Sequence, residues 1–168
     1  MSIITHAEIN AKRDISSNKK TIRSQQHIDD AEYIDVRPLL GRKMYLDLIA
    51  NITDAKYTNI LNEHTYTYDD FEYTHPGLKS VLIEFAYSRI LFFTEVDTPF
   101  GFVDKSYNDG VKPSRERLKS RYTDTRKTAM ILWEEVKLFI ERNIDDYPFS
   151  CEDNEPLQRK GFKIKHIR

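Results

Sequence analysis

The chain has little glycine, a single cysteine and no excess of either charge. Its five glycines, Gly41, Gly77, Gly101, Gly110 and Gly161, are scattered over 168 residues. No two stand close enough to cradle a phosphate, which excludes the P-loop and the dinucleotide fingerprint. Cys151 is the one cysteine. An intramolecular disulfide is impossible, and synthesis in a reducing cytoplasm is the expectation. Twenty-six Lys and Arg against 27 Asp and Glu leave a net charge of -1. The basic surplus of a dedicated nucleic-acid binder is absent. The start, MSIITHAEINAKR, lacks the basic-then-apolar order of a signal peptide. No run reaches the ~18 apolar residues of a membrane span, and the richest segment, 81–96, carries Glu84, Arg89 and Glu95. No membrane partner is expected. The histidines, His6, His27, His64, His75 and His166, form no HExxH and no i,i+4 pair, and no CxxC occurs. Neither a catalytic set nor a metal or cofactor site is therefore expected.

What remains is a charge-rich chain, 39% hydrophobic and 32% charged, with a mean hydropathy of -0.63. That apolar fraction is enough for a core. At this length a chain removes roughly 70% of its unfolded surface from water and needs no staple, which suits one domain.

The patterning predicts a mainly α fold: about five helices, near 18–37, 42–52, 54–64, 76–96 and 114–142, flanked by an arm at 1–16 and a tail at 144–168. The arm reads as extended chain plus a turn, with Ile3, Ile4 and Ile9 as apolar islands. Ser16 or Ser17 offers a cap for the first long helix. One stripe of that helix holds Ile22, Gln26, Asp29, Tyr33 and Val36, with Ile28, Ala31 and Ile34 beside it. Pro38 is expected to end it. Gly41 separates the second helix, where Met44 and Leu48, and Tyr45 and Ile49, pair at i,i+4. After Thr53 or Asp54, residues Tyr57, Ile60, Leu61 and His64 keep the spacing of one buried face. His64 reads either as a half-buried helix-end residue or as a ligand.

Residues 65–75, TYTYDDFEYTH, place four aromatics among acids and suit a loop that covers the core or meets a partner. Asp69, Asp70 and Glu72 lack Ca-loop spacing. Pro76 suits the first position of the central helix, which is apolar nearly all round: Leu78, Val81, Leu82, Phe85, Arg89, Phe92, Phe93 and Val96 on one stripe, Ile83, Tyr87 and Ile90 on another. Asn108-Asp109-Gly110 signals a turn inside a β-excursion at 97–113, a β-hairpin or a long ordered loop between the two longest helices. In the last helix Leu118, Tyr122, Thr125, Ala129, Leu132, Val136 and Phe139 make a heptad-like seam, to pack antiparallel on the central helix. Asn143 suits a left-handed cap. Residues 145–155 carry only acids among their charges, and 157–168 only bases. In GFKIKHI, Phe162, Ile164 and His166 alternate with Lys163, Lys165 and Ile167. That period of two reads as a strand, which frays, pairs with the 97–113 excursion, or adds to another subunit's edge.

Taken in order, RPLLGRKMYLDL, the central GLKSVLIEFAYSRILFFTEVDTPFG, KPSRERLKSRYTDTRKTAMILWEEVKLFI and the YPF at 147–149 resemble a known family. It is that of the small helical head–tail connector (adaptor or ring) proteins of tailed bacteriophages, of the type in phages of gut Bacteroidetes and crAss-like phages. The resemblance spans most of residues 17–149. It implies a virion structural protein of the neck, made in the host bacterial cytoplasm, without catalytic residues. Copies, commonly twelve, would form a ring below the portal protein. The ring would extend the DNA channel, let DNA pass without sequence-specific binding, and dock the tail or further connector proteins. Phe162, Lys163, Ile164, Lys165 and Ile167 are then candidates for docking on a neighbouring subunit or the portal, and Phe100, Phe102 and Tyr107 for loop contacts. The competing reading is a small helical nucleic-acid-binding module using the basic arms, with Lys12, Arg13, Lys19, Lys20 and Arg23 at the front.

Overall fold

A computed structural model of the chain describes residues 2–13, 21–93 and 115–147. The protein is mainly helical, with one small antiparallel hairpin. Its elements are α1 (His6–Lys12), α2 (Thr21–Asp30), a π-helical turn (Ala31–Val36), α3 (Arg37–Leu40), α4 (Arg42–Ala50), α5 (Ala55–Leu61), β1 (His64–Tyr68), β2 (Phe71–His75), α6 (Leu78–Phe93) and α7 (Arg115–Arg142). No described helix is long and apolar enough to cross a membrane.

α6 is the axis of the core. It packs against α7, the π-turn, α2, α1 and α5, which is why its sequence is apolar on nearly every side. Leu78, Val81, Leu82, Ile83, Phe85, Ala86 and Ile90 are all buried. α7 runs antiparallel to α6. Phe92, at the end of α6, meets Tyr122 near the start of α7 (5.2 Å between rings), whereas His75, just before α6, stacks on Phe139 near the end of α7 (4.4 Å). The expected seam is buried at Ala129, Val136 and Phe139, widened by Trp133 and Ile140. Its earlier members Leu118, Tyr122 and Thr125 are half-buried, and the first turns of α7 project past the described end of α6.

The expected extended arm is instead a helix. Thr5 and Glu8 form a capping box: the Glu8 amide donates to Thr5 Oγ1, and Glu8 Oε2 accepts from the Thr5 amide at 2.8 Å. Ile3, Ile4 and Ile9 are core residues. Ion pairs then clip α1 to α6, Arg13 to Glu84 at 2.6 Å and Lys79 to Glu8 at 3.1 Å. Pro38 does not end its helix, which continues to Leu40. A proline ring collides with the carbonyl four residues back in a regular helix. The π-turn immediately before it widens the coil and takes up the ring. Gly41, at φ 81, makes the break that Pro38 does not.

Two further expectations shift. His64 opens β1 rather than closing α5, which stops at Leu61. Asn143 caps α7 through its side chain, Nδ2 donating to the Phe139 carbonyl at 2.8 Å, and not through a left-handed backbone. The hairpin occupies 64–75, the segment read as an aromatic loop; the expected excursion at 97–113 lies outside the described residues. Gly77 joins hairpin to α6 at φ 77, where an added Cβ would sit 2.6 Å from the Asn62 carbonyl oxygen. No other residue fits that approach without displacing the α5–β1 connection.

Candidate docking surfaces

Two surfaces combine exposed apolar groups with placed charge. The first is the hairpin. Its strands, HTYTY and FEYTH, alternate between two faces, as strands must. They are joined by Asp69-Asp70, both with positive φ (51 and 65), the backbone of a tight two-residue hairpin turn. Thr65 pairs with Thr74 and Tyr66 with Tyr73. Thr65, Thr67, Glu72 and Thr74 form the outer, exposed face. On the other face His64, Tyr66, Tyr73 and His75 lean on α7. Tyr66 and Tyr73 stack at 5.8 Å. The Arg142 guanidinium lies 4.1 Å from the Tyr73 ring centre and 4.6 Å from that of Tyr68, and donates to the Tyr66 hydroxyl at 2.9 Å. Burial works against the charge on Arg142, but the bond to the Tyr66 hydroxyl and the attraction of Tyr66, Tyr73 and Tyr68 together outweigh it, and the pKa is raised. The tip stays bare: Phe71 is 65% exposed, and Tyr68 is exposed beside it.

At the hairpin base, His75 is 1% exposed. Its Nδ1 accepts from the Gly77 amide at 3.2 Å, which puts the ring proton on Nε2, a buried atom with no partner among the described residues. Burial first, and His64 second, push its pKa from the ordinary 6.5 down to about 4. Above pH 6.5 the folded and unfolded rings are both neutral. Between about 6.5 and about 4 the unfolded chain takes up a proton that the folded chain refuses, so stability falls as pH drops through that window and levels below it. Urea titrations across this range should show a steeper loss in the native protein than in His75→Phe. Equal slopes would mean that the ring protonates freely in the fold. His64 and His75 lie 6.1 Å apart between ring centres, but the described residues contain no group of three or more ligand-type side chains that could hold a metal.

The second surface is the π-turn. It aims two carboxylates inward. Glu32 accepts from the Ile3 amide (3.0 Å), Ser2 Oγ (3.1 Å) and the Tyr45 hydroxyl (2.7 Å), and so ties the first residues and α4 to the turn. Asp35 accepts from Arg89 and Arg126, each at 2.8 Å. The same turn leaves Tyr33 and Ile34 exposed, with Leu46 of α4 exposed as well. Arg37 lies over the Tyr33 ring at 4.4 Å. An open cleft of about 460 Å³ beside them is lined by Asp29, Asp30 and Glu32 together with Tyr33, Ile34 and Tyr45.

Residues 36–156 match DUF6712, a family of unknown function. The chain belongs to that family. The part that defines DUF6712 therefore holds the hairpin, the α6–α7 pair and the end of the π-turn, while α1 and α2 precede it. No curated protein and no solved structure matches the chain.

The residues singled out beforehand for docking, Phe162, Lys163, Ile164, Lys165 and Ile167, and for loop contacts, Phe100, Phe102 and Tyr107, lie outside the described residues of this DUF6712 chain. The aromatic segment 65–75 divides its tasks: Tyr66 and Tyr73 pack inward, and Tyr68 and Phe71 face solvent. Sequence reasoning passed over the exposed row on α7, Met130, Ile131 and Leu138, of which Ile131 is 68% exposed. Ile131 and Leu138 stand seven residues apart, on the flank of the buried seam, and that spacing was the available signal.

Proposed function

We propose that the protein is a virion structural component: a head–tail connector subunit that assembles head-to-tail into a ring below the portal, extends the DNA channel and docks the tail. One observation carries the reading. Among the described residues exposed apolar groups sit in unlike sets on separate elements: Tyr33, Ile34 and Leu46 on the π-turn and α4, Tyr68 and Phe71 at the hairpin tip, and Met130, Ile131 and Leu138 on α7. A two-fold dimer needs one self-complementary patch, whereas a ring needs two different ones that fit each other. The rigid α6–α7 pair would hold them at a fixed angle. Near-zero net charge supports the same reading, because a strongly basic lumen would grip phosphates and slow DNA.

Sedimentation of the full chain, with and without portal protein, should give a ring-sized species. Electron cryo-microscopy of virions should place this chain at the portal vertex. A monomer at all concentrations, with no density near the portal, would overturn the proposal. The nucleic-acid reading draws support from the exposed Arg115, Lys119 and Arg121 on the first turns of α7. It requires a DNA shift whose affinity falls steeply with salt.

A further inference from the structure

We infer that the row around Ile131 on α7 of one copy seats on the Tyr33–Ile34 face of the π-turn of the next, and that this contact is the head-to-tail joint. The inference rests on the head-to-tail reading and names the two surfaces that would make it.

Each face is apolar at its centre and carries opposite charges at its two ends. Along the rod made by α2, the π-turn and α3, Asp29 and Asp30 come first, then Tyr33 and Ile34, then Arg37. These groups are contiguous: the open cleft sets both aspartates beside Tyr33 and Ile34, and Arg37 lies over the Tyr33 ring at 4.4 Å. Along α7, Lys127 comes first, then Ile131, then Glu135, all exposed. The order is acid, apolar, base on the rod and base, apolar, acid on α7. The spacing agrees as well. Asp30 stands four residues before Ile34, and Arg37 four after Tyr33; Lys127 stands four before Ile131, and Glu135 four after it. Residues four apart share a helix face. With the two helices side by side and running the same way, Ile131 rests on Tyr33 and Ile34, Lys127 faces Asp30, and Glu135 faces Arg37. Reversing α7 would bring Lys127 to Arg37 and Glu135 to Asp30, so charge selects the direction.

One copy cannot make this contact with itself. Within a subunit the rod and α7 already meet through their other sides, where the buried Asp35 accepts from Arg126 of α7. Ala129, Val136 and Phe139 hold α7 in the core. Tyr33, Ile34 and Ile131 are turned away from that joint, at 62%, 54% and 68% exposed. Both elements are rigid parts of one core, so the partner face must come from a second copy. Pairing α7 with another α7 would also match charges, but it would leave the Tyr33 face bare; the unlike contact covers both. Lys127 is free to change partners, since its pair with Asp124 is long (3.9 Å) and exposed on both sides.

The test uses two full-length variants, Ile34→Asp and Ile131→Asp, each spoiling one face. Both side chains are exposed, so each variant should keep the native circular dichroism and urea midpoint. In sedimentation velocity each alone should be monomeric at concentrations where the native chain assembles. An equal mixture should give a dimer and nothing larger, because one intact α7 face meets one intact π-turn face and the chain of contacts stops there. Glu135→Arg and Arg37→Glu should each weaken native assembly about tenfold, and the two together in one chain should recover most of it. Either aspartate variant assembling as the native chain does would overturn the contact and leave the ring reading standing; unaffected Ile34→Asp would point to α7 pairing with α7. A mixture that stays monomeric would overturn it too. So would a lowered urea midpoint with assembly unchanged, which would mean that a segment of the same chain covers the face. A native chain that is monomeric at all concentrations removes both readings.

Discussion

Replacing Phe85 with alanine is expected to destabilise the protein by about 3–5 kcal/mol. Phe85 is 2% exposed and stands midway along α6, the helix against which α7, the π-turn, α2, α1 and α5 pack. Removing its ring takes a large apolar surface out of the core and leaves a cavity between rigid helices that relax only in part. It also removes the face over which the Arg126 guanidinium lies, 4.9 Å from the ring centre. Urea unfolding followed by circular dichroism measures the cost, and the midpoint should fall with little change of slope. Phe85→Leu, which keeps most of the volume, should cost less than about 1.5 kcal/mol. A cost below about 1 kcal/mol for the alanine variant would place Phe85 outside the core.

That residue was legible in the sequence because α6 is apolar on two stripes, a pattern that only a central helix carries. The α6–α7 pairing was legible for a related reason: matched seams on the two longest helices leave few other solutions. The first long helix was misread at one point with a definite cause. A regular helix through 18–37 would put Tyr33 on the stripe with Val36 and set Ile34 beside it. The π-turn puts more residues into each turn at 31–36 than an α-helix does, so Glu32 and Asp35 turn inward while Tyr33 and Ile34 turn out. Nothing in residue periodicity announces a π-turn before it is seen, although Pro38 inside an otherwise helical pattern was a sign. The hairpin was hidden by its turn. Thr-Tyr-Thr-Tyr has the period of a strand, but Asp69-Asp70 lacks the glycine that marks most two-residue hairpins, whereas Asn108-Asp109-Gly110 has it. His64 also completed the stripe of α5 by coincidence of spacing. α1 is seven residues long, too short for periodicity to show, and only the Thr5…Glu8 spacing pointed to it. As for the docking candidates, an apolar–basic alternation at 161–167 names a strand but not its partner, and these residues lie outside the described ones.

Asp35→Ala is expected to cost about 3–5 kcal/mol, the range for removing one partner of a buried ion pair. The carboxylate side chain is 4% exposed and holds two guanidiniums at once, Arg89 through Oδ2 and Arg126 through Oδ1. These bonds join the π-turn to both long helices, so the loss falls on the contact that fixes the three elements together. The two arginines would not suffer alike. Arg126 is 31% exposed and can turn toward water, whereas Arg89 is 11% exposed and would be left charged inside. Burial already opposes the charge on Arg126; the bond and attraction to Asp35 overcome it and raise its pKa. Arg89→Leu in the Asp35→Ala background should therefore restore part of the lost stability, because it removes the stranded charge rather than adding a contact. Arg126→Leu in that background should restore less. The cycle between Asp35 and Arg89 should show a coupling of about 1–3 kcal/mol. Strict additivity would mean that water already screens the pair. Phe85 enters the same network through Arg126, so combining Phe85→Ala with Asp35→Ala should cost less than the separate costs added, since each variant already loosens the guanidinium that the other depends on.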